Sequence, residues 1–355
     1  MSASAHLARL GAPGRPAGGA AIAEARAYCA QVLGSRGFLT EEQAFDYSDV
    51  AGSLATPLGG GTAMLAGIGL YIGRRTPVVA LASVVALVIA GLVLKYVGGN
   101  GVLDFPARRR RGVNLQARRG NEEPAVWLVA HLDSKWQPVS MIARVAGVIA
   151  TALGLIGLLM LVLFRVHGYE GVAATLVLLT WLGASPLMMS IVGSGNDGTL
   201  DNATGVATIL EAAESVPPSA RVGVLITDAE ELGLAGVRAW MRGRPSVIAL
   251  NCDSIDDIGR LTVMSSGTGD HDLIARMRQA ASACGEPLRA MRLIPGILTD
   301  HVPLARAGWR TLTLSRGNIR TLGRVHTSRD TLQATQGTGI ASAARILART
   351  ATELG

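Results

Sequence analysis

The chain is short of charged residues. Asp, Glu, Lys and Arg together make up 17% of its 355 residues, while 49% of the residues are hydrophobic. Soluble globular domains carry about 25% charged residues. The cations are nearly all arginines, since Lys95 and Lys135 are the only lysines. The composition favours a catalytic domain with membrane segments over two ordinary soluble domains, and it predicts that part of the chain lies in lipid.

Cysteine and aromatic residues are also scarce. Cys29, Cys252 and Cys284 are far apart, so they form neither a disulfide framework nor a thiolate metal site, and they fit a reducing compartment. Trp, Tyr and Phe make up only 4% of the chain. No motif combines them with basic residues, so we expect no nucleic-acid partner despite the net charge of +7. The arginine run at 108–111 is read as a contact with anionic lipid and a signal of membrane orientation.

Four long uncharged stretches are predicted to cross a membrane as helices. An α-helix needs about 20 residues to cross a hydrocarbon core about 30 Å thick. In the first stretch, Pro57 and the glycines that follow it would shorten or fray the start of the helix, and a re-entrant segment is the alternative. The four stretches are residues 50–73, 76–94, 145–164 and 171–195.

The stretches pair into two helical hairpins, which divide the chain. Hairpins cross the membrane an even number of times, so all polar segments should lie on one face. The basic residues that flank the helices on that face predict that it is cytoplasmic. The sequence contains no apolar run after its first residues that would make a signal peptide. The predicted order is a disordered tail (1–19), an N-terminal helix (20–49), hairpin 1 (50–95), a first polar part (96–144), hairpin 2 (145–195) and a second polar part (196–355).

The polar parts are predicted to form one α/β domain. Short apolar runs of strand length occur at 125–133, 221–228 and 246–253, and helical candidates such as 203–216 and 270–284 lie between or after them. Strands that are apolar throughout and alternate with helices predict a mainly parallel mixed sheet with helices on both faces.

Acidic and imidazole residues follow these strands. In a parallel α/β sheet, ligands bind beyond the carboxyl ends of the strands. Imidazole and carboxylate groups suit divalent zinc, cobalt or manganese. The sequence therefore predicts a metal site there. The candidate residues are His131, Asp133, Asp201, Asp228, Glu230, Glu231, Asp253 and His326.

Six motifs in a fixed order carry a family resemblance. They are HLDS (131–134), DNATGVA (201–207), TDAEELGLAG (227–236), NCDSI (251–255), TDHVPLARAG (299–308) and HTSRDT (326–331). This series resembles the M28 family of dinuclear zinc peptidases, which includes aminopeptidases and glutamate carboxypeptidases. The likeness covers nearly all the polar sequence and leaves out both hairpins. It implies a zinc-exopeptidase-like fold for the polar parts, which would then be the catalytic domain.

The resemblance also implies a set of metal ligands. Asp201 would bridge two metal ions, with His131 and Asp253 completing one site and Glu231 and His326 completing the other. The implied cofactor is a pair of Zn²⁺ ions, with Co²⁺ or Mn²⁺ as substitutes. Two cations about 3.5–4 Å apart can activate a water molecule and polarise a carbonyl group.

Two further residues receive catalytic roles from the resemblance. Glu230 matches the general base of the family, which takes a proton from water and delivers it to the leaving amine. Asp133 would accept a hydrogen bond from the second ring nitrogen of His131 and so fix its tautomer.

Each residue also has an ordinary structural explanation when it is taken alone. A single histidine is more often a hydrogen-bonded structural residue, and Glu230 with Glu231 could simply be an acidic pair at a helix N-terminus. Asp201 could be a helix N-cap. The occurrence of all five ligands in the order of the family favours the metal site.

The expected function is that of a membrane-bound metallopeptidase, an exopeptidase and most simply an aminopeptidase. Alternatives are an N-acyl amino acid deacylase, a cyclase acting on N-terminal glutamine, or a non-catalytic membrane scaffold. The expected partners are a peptide or amide substrate and the lipid bilayer; the oligomeric state is left open. Hairpin 2 lies between His131 and Asp201 in the chain. A link of about ten residues joins each of these two residues to the hairpin, and such a link spans at most about 35 Å. The hairpins therefore either guide a membrane-associated substrate or serve only as an anchor.

Overall fold

A computed structural model describes residues 2–99, 101–166, 168–267, 270–294 and 296–355. The chain divides into two compact units. The α/β unit contains Met1–Tyr47, Arg110–Trp136 and Ser194–Gly355, and the helical unit contains Ser48–Arg109 and Gln137–Gly193. Residues 96–109 and 137–144, which the sequence assigns to the polar domain, therefore belong to the helical unit.

The α/β unit is built on one mixed sheet. Its strands in the described residues have the spatial order β1-β2-β4-β3-β5-β8-β6-β7. The four central strands β4, β3, β5 and β8 run parallel, β2 is antiparallel to β4, and β6 is antiparallel to β8. This confirms the predicted α/β class. The strands are β1 Leu39–Ser48, β2 Arg109–Arg118, β3 Val126–His131, β4 Val222–Thr227, β5 Ile248–Ile255, β6 Arg260–Ser265, β7 Arg289–Arg292 and β8 Arg310–Gly317.

The α-helices are numbered along the whole chain. They are α1 Ala3–Leu10, α2 Ala20–Ser35, α3 Val50–Gly73, α4 Pro77–Val97, α5 Gly101–Asp104, α6 Met141–Leu163, α7 Glu170–Met188, α8 Thr204–Ser215, α9 Ala235–Met241, α10 His271–Ala283, α11 His301–Arg306, α12 Ile319–Arg324 and α13 Ile340–Leu354.

Both faces of the sheet are covered, as the sequence predicts. Successive side chains of a strand point to opposite faces. In β3, Leu128 and Ala130 join the main core with helices α8 and α13, whereas Trp127 and Val129 join a second cluster with Trp240. Every residue of β3 and β4 is buried. An apolar run of this kind therefore reflects a central strand between two layers of helices.

The first residues of the chain differ from the predicted disordered tail. They form helix α1, and its Leu7 and Leu10 side chains are buried in the main core. Spacing of three residues places both leucines on one face of the helix. The polar composition of the segment hid this short apolar stripe, so the helix was not predicted.

The chain leaves the α/β unit at four points, and all four lie on the side where the parallel strands end, here called the carboxyl side. Strand β1 is antiparallel to β2, because Glu41 and Gln43 contact Gln116 and Asn114 respectively. The end of β1 and the start of β2 therefore lie on that side. The other two exits follow β3, since the Asn196 amide donates to the Lys135 carbonyl over 2.9 Å.

The helical unit contains three helices that are long and apolar enough to cross a membrane, α4, α6 and α7. Helix α3, counted from the sequence as the first span, is not among the helices that meet this criterion in the described residues. Its glycine, serine and threonine residues dilute the apolar character of the stretch. Contrary to expectation, α3 runs unbroken past Pro57, while α7 ends at Met188 rather than at 195.

Small residues allow the helices of this unit to pack closely. A Cβ atom added to Gly154 on α6 would lie 2.2 Å from the Thr180 hydroxyl on α7. A Cβ on Gly183 would lie 2.5 Å from the Thr151 amide nitrogen, and one on Gly67 of α3 would lie 3.2 Å from Thr180. Backbone approach at small residues is the usual basis of helix association in lipid.

Candidate metal centre

The five predicted metal ligands converge on the carboxyl side of the sheet. Asp201 stands between two histidines: its Oδ1 lies 3.0 Å from His131 Nε2 and its Oδ2 lies 3.0 Å from His326 Nε2. On one side, Asp253 Oδ1 lies 3.9 Å from His131 Nε2. On the other, Glu231 Oε1 lies 2.9 Å from His326 Nε2. One carboxylate thus offers an oxygen to each of two flanking ligand pairs.

The same residues separate into two groups with metal-binding potential. His131, Glu230 and Asp253 form one, and Asp201, Glu231 and His326 form the other; the ligand atoms within each group lie within 4.8 Å of one another. The inclusion of Glu230 places the predicted base beside the first group.

The donor set fits divalent zinc. It contains only imidazole nitrogens and carboxylate oxygens, the ligands that zinc accepts in catalytic sites. Glu231 Oε1 is buried and has no hydrogen-bond donor, although it lies 2.9 Å from His326 Nε2. At this distance one cation could coordinate both atoms.

The electrostatics of the site call for positive charge. Burial favours the neutral form of His131, but the nearby carboxylates, Glu230 first among them, raise the pKa of His131 well above its ordinary value. Burial favours the protonated form of Asp201, yet hydrogen bonds from His131 and His326 hold its pKa far below the ordinary range. Metal binding requires deprotonated ligands, so bound cations would replace these protons.

Glu230 has the surroundings of an acid–base group. Its side chain is almost fully buried, and burial raises the pKa of Glu230 well above its ordinary value. His131 opposes this shift, whereas the negative charges of Glu231 and Asp300 add to it. A carboxyl group whose pKa is raised in this way can both accept and release a proton.

Sharp turns place the ligands at the strand ends. Three non-glycine residues with left-handed backbone conformations are a candidate site residue or its direct neighbour: Ala229 (φ 57°), which precedes Glu230, Ser254 (φ 57°), which follows Asp253, and His326 itself (φ 63°). L-amino acids adopt this region at a cost of about 1–3 kcal/mol, and such residues cluster at functional sites. The backbone is therefore strained at the turns that position Glu230, Asp253 and His326.

Asp133 holds the loop that carries the two glutamates. Its Oδ1 accepts a hydrogen bond from the Glu230 amide over 3.0 Å, and its Oδ2 accepts one from the Glu231 amide over 3.1 Å. His131 Nδ1 lies nearer to the backbone carbonyl of Asp133, at 3.0 Å, than to the carboxylate, at 3.6 Å. The backbone carbonyl of Asp133, and not its carboxylate as expected, is thus the closer partner that can orient the His131 ring.

Asp330 fixes the backbone at Asp201 in the same way. Its two carboxylate oxygens accept hydrogen bonds from the amides of Leu200, over 2.7 Å, and Asp201, over 3.1 Å. Asp133 and Asp330, which are not among the five candidate ligands, therefore fix the backbone at four residues through their amides.

Three residues at the site went unnoticed in the sequence. Lys135 Nζ lies 2.7 Å from Glu231 Oε2, and its rarity as one of two lysines was the available signal. Asp300 is buried with Oδ2 accepting from the Thr227 hydroxyl over 2.5 Å, and burial raises the pKa of Asp300 to about 7. The next residue, His301, is also fully buried, and its Nδ1 lies 2.6 Å from the Thr313 hydroxyl.

Arg15 is the third of these residues and lies in the segment expected to be disordered. Its fully buried guanidinium donates to the carbonyls of Leu10, Leu132, Asp197 and Gly198. Leu132 directly follows His131, and Gly198 lies three residues before Asp201. Arg15 therefore ties together the two chain segments on either side of hairpin 2, next to the metal ligands.

Residues 185–351 match the family model described as Peptidase family M28. The matched segment lies mostly in the α/β unit, which for this similarity we call the M28 unit. No curated protein matches the chain.

Solved structures share the fold of the M28 unit. The aminopeptidase from Aneurinibacillus sp. strain AM-1 superposes with a TM-score of 0.59 at 13% identity, covering 99% of this chain and 93% of that one. A Zn-dependent exopeptidase from Parabacteroides distasonis gives 0.59 at 14% identity, covering 99% and 97%. Fimbriiglobus ruber glutaminyl cyclase gives 0.57 at 14% identity, covering 99% and 93%. At these identities the likeness establishes the fold of the M28 unit and leaves its substrate open.

Proposed function

We propose that the protein is a membrane-bound exopeptidase that hydrolyses a terminal amide bond with two zinc ions. The observation that carries this proposal is the position of Asp201, whose two carboxylate oxygens each lie 3.0 Å from a different histidine. A carboxylate shared between two ligand pairs is what a dinuclear site requires.

In this proposal each site residue has a stated role. Asp201 would contribute to holding both ions, His131 and Asp253 would hold one of them, and Glu231 and His326 would hold the other. When bound, the ions supply Lewis acidity and lower the pKa of water. Glu230 takes the proton from the attacking water and passes it to the leaving nitrogen. Asp133 keeps Glu230 and Glu231 in place through their backbone amides.

Membrane attachment is part of the same proposal. Helices α4, α6 and α7 have the length and composition of membrane spans, and α3 packs against α7 through Gly60 and Gly67. We assign the four helices to two hairpins in the cell membrane, with the M28 unit on the cytoplasmic side because basic residues flank the helices there. Protease added outside right-side-out vesicles should leave the C-terminus intact; digestion of the C-terminus would reverse this orientation.

The decisive test of the chemistry is Glu230→Gln in the full chain. We expect both metals to be retained and hydrolysis of aminoacyl amides, dipeptides or N-acyl amino acids to fall by about 10²-fold or more, as for the loss of a general base. Glu211→Gln, on helix α8 away from the ligands, is the control and should keep full activity. Unchanged hydrolysis by Glu230→Gln would refute the mechanism.

Cyclisation of N-terminal glutamine is the second candidate, because glutaminyl cyclases are among the proteins that share the fold. The two activities differ in their products. A cyclase releases ammonia from a glutaminyl peptide and leaves every peptide bond intact, whereas an exopeptidase releases a free amino acid. Amino acid analysis of one glutaminyl peptide after incubation separates them.

A further inference from the structure

The large apolar side chains that the α/β unit exposes are unevenly distributed. Among its described residues they are Leu39, Ile258, Leu298 and Ile319, with exposed fractions of 62%, 39%, 57% and 64%. Leu39 begins β1, on the amino side of the sheet. The other three lie on the carboxyl side, Ile258 and Leu298 in loops and Ile319 at the start of α12; Leu298 stands two residues before Asp300, which contacts Thr227 at the end of β4. Single exposed apolar residues are ordinary, but three on the side that carries the site form a pattern.

Two of these residues lie at one corner of the unit. Ile258 is in the turn between β5 and β6, and Ile319 begins α12 directly after β8. Strands β6 and β8 pair with Arg260 opposite Gly317, which brings the two turns side by side. The Thr321 hydroxyl of α12 donates to Asp256 over 2.7 Å and fixes the helix there. We call Ile258 and Ile319 the isoleucine corner.

Arginines flank both residues of the isoleucine corner. Arg260 and Arg320 are exposed and lie two residues and one residue from the isoleucines. The nearest carboxylate in sequence, Asp257, accepts hydrogen bonds from the backbone amides of Gln336, over 2.6 Å, and Thr338, over 2.7 Å. Apolar side chains next to arginines match the interfacial region of an anionic bilayer, where the former enter the acyl boundary and the latter bind phosphate.

Two short connections join the carboxyl side of the α/β unit to helices α6 and α7. Trp136 is separated from the start of α6 at Met141 by five steps along the chain, and Met188 at the end of α7 is separated from Ser194 by six. Such connections extend at most about 20 Å. Both begin on the carboxyl side of the sheet, and both lead to helices able to cross a membrane.

We infer that the isoleucine corner rests in the headgroup region of an anionic bilayer and holds the carboxyl side of the M28 unit against the lipid. This rests on the membrane attachment proposed above and not on the peptidase chemistry. A substrate that lies in the bilayer surface would then reach the metal ligands along the membrane plane, which favours peptides or amino acids carrying an acyl chain.

The test compares two positions of nearly equal exposure on opposite sides of the sheet. The full chain, in a Cys284→Ser background because the other two cysteines are buried, is made with Ile319→Cys or Leu39→Cys. Each variant carries a fluorophore at the new thiol and is placed in nanodiscs of phosphatidylserine and phosphatidylcholine with a doxyl quencher in the lipid. Interfacial side chains enter about 5–10 Å into the headgroup boundary, so we expect at least about twofold stronger quenching at position 319 than at 39.

Equal quenching at the two positions, or none at either, overturns the inference. Fluorescence transfer between two labelled copies without quenching at 319 would overturn it in favour of a second copy of the chain at the corner. Nanodiscs without phosphatidylserine should lower the quenching at 319, and Arg260→Gln with Arg320→Gln should abolish that lipid dependence; a dependence that survives contradicts the role of the arginines. Hydrolysis and metal content, measured on the same samples, show separately whether the peptidase proposal holds.

Discussion

The two units of this protein differ in the residues that make their closest contacts. In the α/β unit, buried polar groups such as Asp133, Asp330 and Arg15 are bonded to backbone amides and carbonyls next to the metal ligands. In the helical unit, the close contacts are made by glycine and threonine, and large apolar side chains face outwards. The α/β unit thus buries charged groups by hydrogen bonding them to its own backbone. The helical unit packs its helices through small residues, as helices in lipid do. Each set of contacts can be broken separately.

The largest effect is expected from Asp201→Asn. Removal of the shared carboxylate charge should cost both metals their common ligand. Changes outside the ligand shell already cost about 10–100-fold, so we expect activity to fall by about 100-fold or more, with less than two metals retained. Metal analysis and hydrolysis rates measure this. Asp46→Asn, in the same unit but on β1, should leave both unchanged; retention of two metals by Asp201→Asn would contradict the shared role.

Arg15→Ala should destabilise the α/β unit next. It removes the donor from four buried carbonyls, and hydrogen bonds from charged groups contribute about 1.5–3 kcal/mol each where they are buried. We expect the free energy of unfolding to fall by about 3 kcal/mol or more, seen as a lower Tm in detergent. Arg9→Ala, on the exposed face of α1, is the control and should change the Tm little. A small effect from Arg15→Ala would show that the N-terminal segment is dispensable.

Gly154→Ala tests the close packing of helices in the helical unit. The added Cβ would meet the Thr180 hydroxyl and the Leu176 carbonyl, so helices α6 and α7 must separate, at a cost of about 1–3 kcal/mol. Gly91→Ala on α4 adds the same methyl group where nothing lies within 4 Å and should be neutral or slightly stabilising. The difference in Tm between the two variants is the measurement, and equal Tm values would show that the α6–α7 approach is not tight.

The smallest effect is expected from Lys135→Met. The ammonium group holds Glu231 Oε2 at 2.7 Å, so its loss should loosen one metal ligand and weaken metal affinity by about tenfold. Competition with a chelator measures the affinity, and Lys135→Arg should restore most of it. An unchanged affinity in Lys135→Met would mean that the ion pair does not position Glu231.

Much of the site was predictable because its residues follow recognisable strands. His131, Glu231 and Asp253 each come at or directly after an apolar run, and the topology of a parallel sheet brings such positions together. Asp201 and His326 lie in loops and were identified by the order of the six motifs. The lengths of the apolar stretches likewise indicated the helices of the helical unit to within a few residues, except at the end of α7.

What the sequence did not reveal depends on contacts between distant segments. Nothing in the residues around Arg15 marks it, because its four carbonyl partners come from three separate parts of the chain. Lys135 was visible only as a rare residue type. The continuity of α3 past Pro57 was also hidden, since packing against neighbouring helices can tolerate a proline that an isolated helix would not.

The insertion of a hairpin between His131 and Asp201 sets an order for biosynthesis. The ribosome releases His131 before α6 and α7, and it releases Asp201, Asp253 and His326 only after them. The sheet can therefore bring all five candidate ligands together only after helices α3, α4, α6 and α7 have been synthesised. If the helical unit crosses a membrane as proposed, a chain that holds both metals has already been inserted, and metal loading would report on assembly.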